Sequence, residues 1–446
     1  MHYTYQDFMS AQDRGAFLLD AVKARRASPG FRHGLEAVSY FRGENTEVAR
    51  KTVTRAAVTE SRDESGMRRL RAVPREAAGN RVGSGFLHRF VCQQNQYLLQ
   101  NGVVLDKALK ARLGSGFDRQ LQRMGERALL QGVCWGFWNA DHLEIIDDAK
   151  DALSGFIPFM DEMTGRLRAG AQFWQLDTRR PLYIRLFEED GVTMLRQDQY
   201  GLLAIAQKKQ AYRTLRRADA LGETVSEANW PFLPVIPLWA NDEHRSEFTP
   251  AIKAKIDAYD RILSDFADNL DRANDVYWVL NNFGGTADDV AEMLAEISRI
   301  KAVANLSDGT GNGATAEPRT IEVPYQARQA ALNILERALY ADYMALDMAA
   351  ITGGSLTNVA IRAACANLNL KSDRYEWEVF AFVQQVLQLM GTDTDAIRFQ
   401  RQAIANETET VQAIYMMRQD IDRETALKLN PLLQPEEVAR LCADAQ

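Results

Sequence analysis

Pro231-Phe232-Leu233-Pro234-Val235-Ile236-Pro237-Leu238-Trp239, followed by an apolar stripe at Ile252, Ile256, Tyr259, Ile262, Leu263, Phe266 and Leu270, is the stretch that decides the fold. Each proline lacks an amide donor and disfavours α geometry in the residue before it, so residues 231–239 read as an extended connector closing a first domain. The stripe after it recurs at helical spacing with no Pro or Gly inside it, which predicts one long amphipathic helix through 252–270.

Working upstream, the first 240 residues mix helix and strand signals and read as an α+β domain. Helices are expected at 6–26, 86–99 and 117–131. Val133-Cys134-Trp135-Gly136-Phe137-Trp138 and Leu143-Glu144-Ile145-Ile146-Asp147 are short aromatic and β-branched runs separated by Asn139-Ala140-Asp141, a hairpin signal. Further strand pieces fall at 173–176 and 182–187. Residues 50–81 are rich in Arg and Glu and poor in large apolar groups, which favours a solvated, mobile surface loop. A DNA-binding patch is the weaker reading there, because Glu60, Asp63, Glu64 and Glu76 cancel much of the positive charge.

Working downstream, Val276-Tyr277-Trp278-Val279-Leu280 is a strand by composition, and Thr286 with Asp289 opens a short helix as a capping box. With Thr320-Ile321-Glu322-Val323 these make a small α/β insertion. A second long helix follows over 325–349, striped by Leu332, Leu335, Leu339, Tyr343 and Leu346. Ile351-Thr352-Gly353-Gly354-Ser355 breaks it, and a third helix runs over 357–390, strongest at Trp377, Phe380, Val383, Leu387 and Met390. A possible strand at 397–404 and a helical tail over 407–443 complete the chain.

Composition excludes several classes. Hydrophobic residues at 46% and charged residues at 25% are those of a folded globular protein, and 446 residues predict more than one packed unit. Cys92, Cys134, Cys365 and Cys442 lie too far apart for a zinc knuckle and read as reduced, mostly buried hydrophobes. The net charge of −7 excludes a strongly basic nucleic-acid binder. No apolar run is long enough to cross a bilayer, and Asp7, Asp13 and Asp20 stand where a signal peptide needs basic and apolar residues, so the host cytoplasm is the expected place of assembly.

Chemistry-bearing motifs are absent from the sequence. Gly284-Gly285 and Gly353-Gly354 lack the Lys-Ser/Thr that a nucleotide loop needs, the five histidines show no zinc spacing, and no nucleophile elbow stands before a helix. No catalytic residue, metal or cofactor is expected. The alternative is a metal-dependent nucleic-acid-processing enzyme built on Asp147-Asp148 or Asp288-Asp289.

The order of parts resembles the portal, or head-to-tail connector, family of tailed phages, in the branch typical of siphophages. Tyr40-Phe41-Arg42-Gly43-Glu44 is similar to that family's aromatic-Arg-Gly-Glu signature, and residues 80–99 with Asn101-Gly102-Val103 to its next helix. Residues 233–243 resemble its proline-rich link, and Ile256-Asp257-Ala258-Tyr259-Asp260-Arg261-Ile262-Leu263-Ser264-Asp265 the helix after it. Asn367-Leu368-Asn369-Leu370-Lys371, Thr408-Glu409-Thr410-Val411, Glu424-Thr425-Ala426 and Asn430-Pro431 resemble later segments in the same order.

That resemblance implies a mainly helical α+β protein with wing, stem, clip and crown in a ring oligomer around a central channel. The wing would be 1–240, the first stem helix 241–274, the clip 275–323, the second stem helix 324–349 and the tunnel loop 350–356. A long wing and crown helix over 357–391 and a short crown over 392–446 would follow. It implies twelve subunits at one capsid vertex, double-stranded DNA held transiently and without sequence preference, and no membrane. The implied partners are the terminase large subunit, a head-completion or adaptor protein, and the major capsid and scaffolding proteins. Thr352, Gly353, Gly354, Ser355, Thr357 and Asn358 would face DNA. Val276, Tyr277, Trp278, Val279 and Leu280 would serve the clip and its partners, and Lys253, Lys255 and Arg328 would be the basic groups of the stem.

Overall fold

The structure is a computed structural model that describes residues 3–62, 68–219, 222–273, 277–281, 315–319, 325–349, 357–402, 407–417, 421–430, 432–433 and 435–443. The chain begins with α1 (Tyr5–Ser10), α2 (Arg14–Ala27), α3 (Pro29–Phe41) and α4 (Thr46–Ala49), then β1 (Thr52–Arg62) and β2 (Arg68–Ala78). Next come α5 (Phe86–Leu99), β3 (Val103–Val104), α6 (Lys107–Leu113), α7 (Phe117–Gln131), β4 (Val133–Asn139) and β5 (His142–Ile146). A run of strands follows: β6 (Gly155–Met160), β7 (Leu167–Trp174), β8 (Tyr183–Glu188), β9 (Gly191–Gln197), β10 (Leu203–Gln210), β11 (Arg213–Asp219), β12 (Gly222–Ala228) and β13 (Val235–Trp239). The second half holds α8 (Pro250–Ala273), β14 (Tyr277–Asn281), β15 (Thr315–Arg319), α9 (Tyr325–Tyr343) and α10 (Asn358–Leu389). It ends with β16 (Arg398–Phe399), α11 (Glu407–Met417), α12 (Arg423–Leu429) and α13 (Pro435–Ala443). This is a mixed helix and sheet fold.

The chain forms two compact units, each assembled from separated segments. One comprises Met1–Arg42, Gly85–Ile252 and Tyr340–Gln446, the other Gly43–Ser84 and Lys253–Leu339. In the first unit, α1 and α2 pack their apolar sides on a five-stranded antiparallel sheet in the order β10-β9-β8-β7-β6, with Phe8 stacked on Phe159 at 4.9 Å. A three-stranded sheet, β13-β4-β5, carries Trp135, Phe137 and Val235 into a second core with Phe156 and Phe187. Helix α10 lies against this sheet because Gly136 has no side chain: a Cβ there would come within 2.8 Å of the Phe382 ring. A comparable economy operates between helices, where Gly125 of α7 leaves room for Tyr375 Oη to donate to Asn95 Oδ1 at 3.1 Å.

Several elements depart from the sequence reading. The expected helix over 6–26 is two helices, because Asp13 leaves α geometry and accepts the amides of Gly15 and Ala16 as the N-cap of α2. Residues 231–234 are a bent segment, not an extended one, and 235–239 form a sheet strand, β13, registered antiparallel on β4, instead of a bare connector. The second long helix stops at Tyr343, where Met344 adopts φ +61° and reverses the chain. Leu346 is therefore buried outside that helix, packed with Tyr97, Ile361, Cys365 and Leu368. Trp377 does not join the buried face of α10: it is 71% exposed, while Tyr375, Val379, Phe382, Val383 and Val386 are buried. The possible strand at 397–404 shortens to Arg398–Phe399, paired with β3.

The largest correction concerns 50–81. In place of a loop, β1 and β2 form an antiparallel hairpin in unbroken register from Thr52↔Ala78 to Arg62↔Arg68. The β-branched residues Thr52, Val53, Thr54, Val58, Thr59 and Val73 favour extended backbone whatever charge stands between them.

Candidate functional site

In the second unit, α8 reads an extended segment of backbone. Every fourth residue from Ile252 is buried: Ile252, Ile256, Asp260, Ser264 and Asp268 are 3%, 1%, 0%, 0% and 6% exposed. The stripe thus starts apolar and turns polar, while Leu270 of the sequence-predicted stripe is 49% exposed. Its polar members accept alternate amides: Ser84 N donates to Asp260 Oδ1 at 2.9 Å, Val82 N to Ser264 Oγ at 3.0 Å and Asn80 N to Asp268 Oδ1 at 2.7 Å. Four helical residues advance about 6 Å and two extended residues about 6.6 Å, so the two repeats stay in step over three rungs.

Side chains close both ends of this ladder. Asn45 donates to Asp260 and to Ser84 O, and Lys51 Nζ lies 2.6 Å from Asp268 and 2.8 Å from Asp265. The two carboxyls respond differently. Burial raises the Asp260 pKa above its ordinary value despite its donors. Burial works the same way on Asp268, but the Asn80 amide and the Lys51 ammonium outweigh it and hold that carboxyl below its ordinary range. The ladder ties the base of the β1–β2 hairpin to α8.

In the first unit, a buried junction holds the start of α8 and the end of α9. Lys371 of α10 donates to Tyr343 O at 2.8 Å, pairs with Glu247 at 2.7 Å, and sits 3.4 Å from the centre of the Tyr343 ring. Its ammonium therefore caps the carbonyl end of α9, where the helix dipole favours a cation. Burial lowers the Lys371 pKa even with Glu247 beside it. Tyr343 in turn donates to Gln94 Oε1 at 3.0 Å and stacks on Phe90, and the Gln93 amide brackets the Leu346 backbone at 2.9 and 3.0 Å. Next to Glu247, Phe248 is fully buried against Tyr40 and His33. A cavity of about 910 Å³ opens beside this junction, lined in part by His244, Arg245, Lys371 and Arg374.

The sequence-predicted site residues fall as follows. Thr352, Gly353, Gly354 and Ser355 lie outside the described residues, as does Val276. Thr357 caps α10 by accepting the Ala360 amide, and the Asn358 amide donates to Glu409 Oε2 at 2.6 Å, so both are fixed at a helix start. Tyr277, Trp278, Val279 and Leu280 stand in β14, paired with β15 in the register Tyr277↔Arg319 to Asn281↔Thr315. Lys253 pairs with Asp257 at 2.8 Å, and Lys255 and Arg328 are half-buried on α8 and α9. The helix expected at 286–299 and the strand at 320–323 also lie outside the described residues. What sequence reasoning missed was the ladder, whose signal is the four-residue repeat Asp260, Ser264, Asp268.

Of the two acidic pairs weighed for metal chemistry, Asp288-Asp289 lies outside the described residues, and Asp147-Asp148 is held by arginines. Asp148 is buried and paired with Arg25, and Asp147 lies 3.4 Å from Arg127. Among the described residues, no group of three His, Cys, Asp or Glu side chains gathers as metal ligands, and no helix is long and apolar enough to cross a membrane.

Comparison with known proteins places the chain. The family model described as phage portal protein, SPP1 Gp6-like, matches residues 39–446. This chain belongs to that family of phage portal proteins. Its relatives include the portal protein of Clostridium phage phiCD119, 24% identical over 396 residues that cover 84% of each chain. The portal protein of Bacillus phage SPP1 is 29% identical over 230 residues, 48% of this chain and 44% of the relative. Among solved structures, a chain from the virion of a native gene transfer agent particle aligns with a TM-score of 0.40 and 11% identity, covering 80% of this chain and 89% of that one.

Proposed function

We propose that copies of this chain close into a ring at one vertex of a phage capsid and that double-stranded DNA passes through its centre during packaging and ejection. The observation that carries this reading is membership of the portal family over residues 39–446. Ring closure takes heterologous contacts between identical subunits, with a rotation that returns on itself, and twelve subunits form the assembled ring. Helices α8 and α9 are the stem, the module between them at 275–323 is the clip, residues 1–240 are the wing, 350–356 the tunnel loop, and 357–391 with 392–446 lead into a small crown.

A conduit must centre DNA without gripping it, because every phosphate contact held in register has to break at each step. A chain of net charge −7 suits such a wall. Thr352, Gly353, Gly354, Ser355, Thr357 and Asn358, with Lys253, Lys255 and Arg328, make the brief contacts. The pairing of Lys253 with Asp257 supports weak contact over a firm hold. Residues 276–280 belong to the surface that receives the terminase large subunit and later the head-completion or adaptor protein, and the wing meets the major capsid and scaffolding proteins. The protein is a structural component of the virion, assembled in the host cytoplasm, and works without catalysis or cofactor.

Negative-stain images of the purified protein test this. Annuli with a central channel are expected. A monomer at high concentration with no annuli overturns the reading.

A further inference from the structure

We propose that an exposed seam on α9 of one copy packs in parallel on an exposed seam on α10 of the next copy, and that this pairing sets the register between neighbouring subunits. That copies stand side by side rests on the ring reading above, whereas the two seams come from the helices themselves. Helix α10 buries Ile361, Cys365, Leu368, Ser372 and Tyr375, an alternation of four and three residues. Two residues earlier at each step, about 200° round the helix, the alternation recurs at Val359, Ala363, Ala366, Leu370, Asp373 and Trp377, and all of these are exposed. Helix α9 repeats the arrangement. It turns Leu332, Leu335 and Leu339 inward, while Ala327, Ala330, Ile334, Arg337 and Ala341, three and four residues apart, are exposed. Ile334 is 67% exposed and Leu370 59%. A helix face left to water is normally polar, and an apolar repeat of 3.5 residues is the spacing at which two helices stay in contact along their length.

The residues themselves name the occupant as a second copy. Laid side by side in the same direction, the seams match at one common offset: Ala327 on Ala363, Ala330 on Ala366, Ile334 on Leu370, Arg337 on Asp373 and Ala341 on Trp377. Small residues meet small ones at one end, where the backbones can come close. The aliphatic pair fills the middle, opposite charges share a layer, and Trp377 takes the space that Ala341 leaves. Asp373 meets Arg401 at 2.6 Å yet keeps its side chain 54% exposed, and Arg337 pairs with no carboxylate among the described residues.

Other pairings of the same seams are worse. Two α9 seams in parallel would set Arg337 on Arg337, and two α10 seams Asp373 on Asp373. In an antiparallel pair the two kinds of seam position face each other, so each charge would meet an apolar side chain. A polar group inside an apolar seam lowers stability and in return specifies register, by penalising every arrangement that leaves it unmatched. Because each chain carries one seam of each kind, it offers α9 to one neighbour and α10 to the other, which is a heterologous contact. The seam is about 20 Å long and a helix about 10 Å wide, so it covers roughly 200 Å² per partner. That is about a quarter of the ~800 Å² per partner in a standard interface, so the seam fixes register within a larger contact.

The test is disulfide trapping in the purified full-length protein, read on non-reducing gels with annuli counted in parallel micrographs. I334C/L370C sets two thiols in one layer of neighbouring copies, and is expected to give dimers and a ladder of longer multimers that reductant abolishes. I334C/W377C moves one thiol two turns along, about 10 Å, beyond the ~7 Å between Cα atoms that a disulfide spans. It is expected to give no more multimer than the wild type, whose Cys92 and Cys442 are half-buried. All three positions are exposed, so these variants should fold as the wild type does. Adding R337D to I334C/L370C is expected to weaken the ladder, and adding D373R as well to restore it. Absence of the ladder in I334C/L370C overturns the seam, and annuli present in the same sample would show that the ring survives without it. Equal ladders in the two double-cysteine variants overturn it too, as does a bond closed within one chain. A ladder without annuli would keep the seam and remove the ring.

Discussion

Removing the Asp268 carboxylate perturbs one rung of the α8 ladder. Its partners are the Asn80 amide at 2.7 Å and Lys51 Nζ at 2.6 Å. A hydrogen bond to a charged acceptor contributes about 1.5–3 kcal/mol, and a buried donor left without a partner costs about 1–3 kcal/mol. Lys51 keeps Asp265 at 2.8 Å, so the loss falls mainly on the Asn80 amide. Asp268→Ala is therefore expected to lower the local opening free energy by about 2–3 kcal/mol, which at ~1.4 kcal/mol per tenfold makes the Asn80 amide exchange about 30- to 140-fold faster. Hydrogen–deuterium exchange resolved to single residues across 79–84 reads this directly. Val82 and Ser84 answer to Ser264 and Asp260 and should accelerate less. Ser264→Ala should move the largest effect to Val82. If Asn80 exchanges at its original rate in Asp268→Ala while α8 stays helical, the ladder does not hold this segment and the reasoning is wrong.

Acid should probe the same rung: the Asp268 pKa is depressed, so its contribution is complete above the unfolded value of about 3.9 and is lost as pH falls through the folded value. Asp268→Asn should accordingly be less stable than wild type at neutral pH and lose less below about pH 4, as followed by tryptophan fluorescence. Lys371→Met should cost about 3–5 kcal/mol by stranding Glu247 and the Tyr343 carbonyl, and adding Glu247→Gln should restore much of it, measured as a double-mutant cycle in chemical denaturation. Gly125→Ala should lower the melting temperature through about 1–3 kcal/mol of overpacking, because its Cβ would lie 2.2 Å from both Asn95 Oδ1 and Tyr375 Oη. A melting temperature equal to wild type would show that α5, α7 and α10 adjust there without cost.

The long helices were legible because burial imposes a 3.6-residue period that no other structure uses. Helices 86–99 and 117–131 form where the stripe places them, and α8 contains the whole stripe from Ile252 to Leu270. The interior of α8 was read less well. Apolar Phe266 and Leu270 suggest the buried side, yet the buried positions continue as Asp260, Ser264 and Asp268, because what lies opposite is backbone amide and demands acceptors. Hairpin 52–78 was hidden for a related reason: its arginines and glutamates weigh against a core, and a two-stranded ribbon has none to detect. The second long helix was overextended because Leu346 fits its stripe, although that side chain reaches a different cluster after the chain turns at Met344. The family resemblance, in contrast, was carried by short segments in the right order, and the matching family model spans 39–446.

One feature of the covalent path bears on synthesis. The partners of α8 in its own unit, residues 43–84, leave the ribosome well before residues 253–339 exist. At ~5–20 residues per second, the 255 positions from Ser84 to Leu339 take on the order of 10–50 s to translate. Until α8 emerges within that interval, the amides of Asn80, Val82 and Ser84 lack Asp268, Ser264 and Asp260 as acceptors, so the nascent hairpin must be tolerated by the cell as an unfinished piece, and neither unit can be expressed by cutting the gene once.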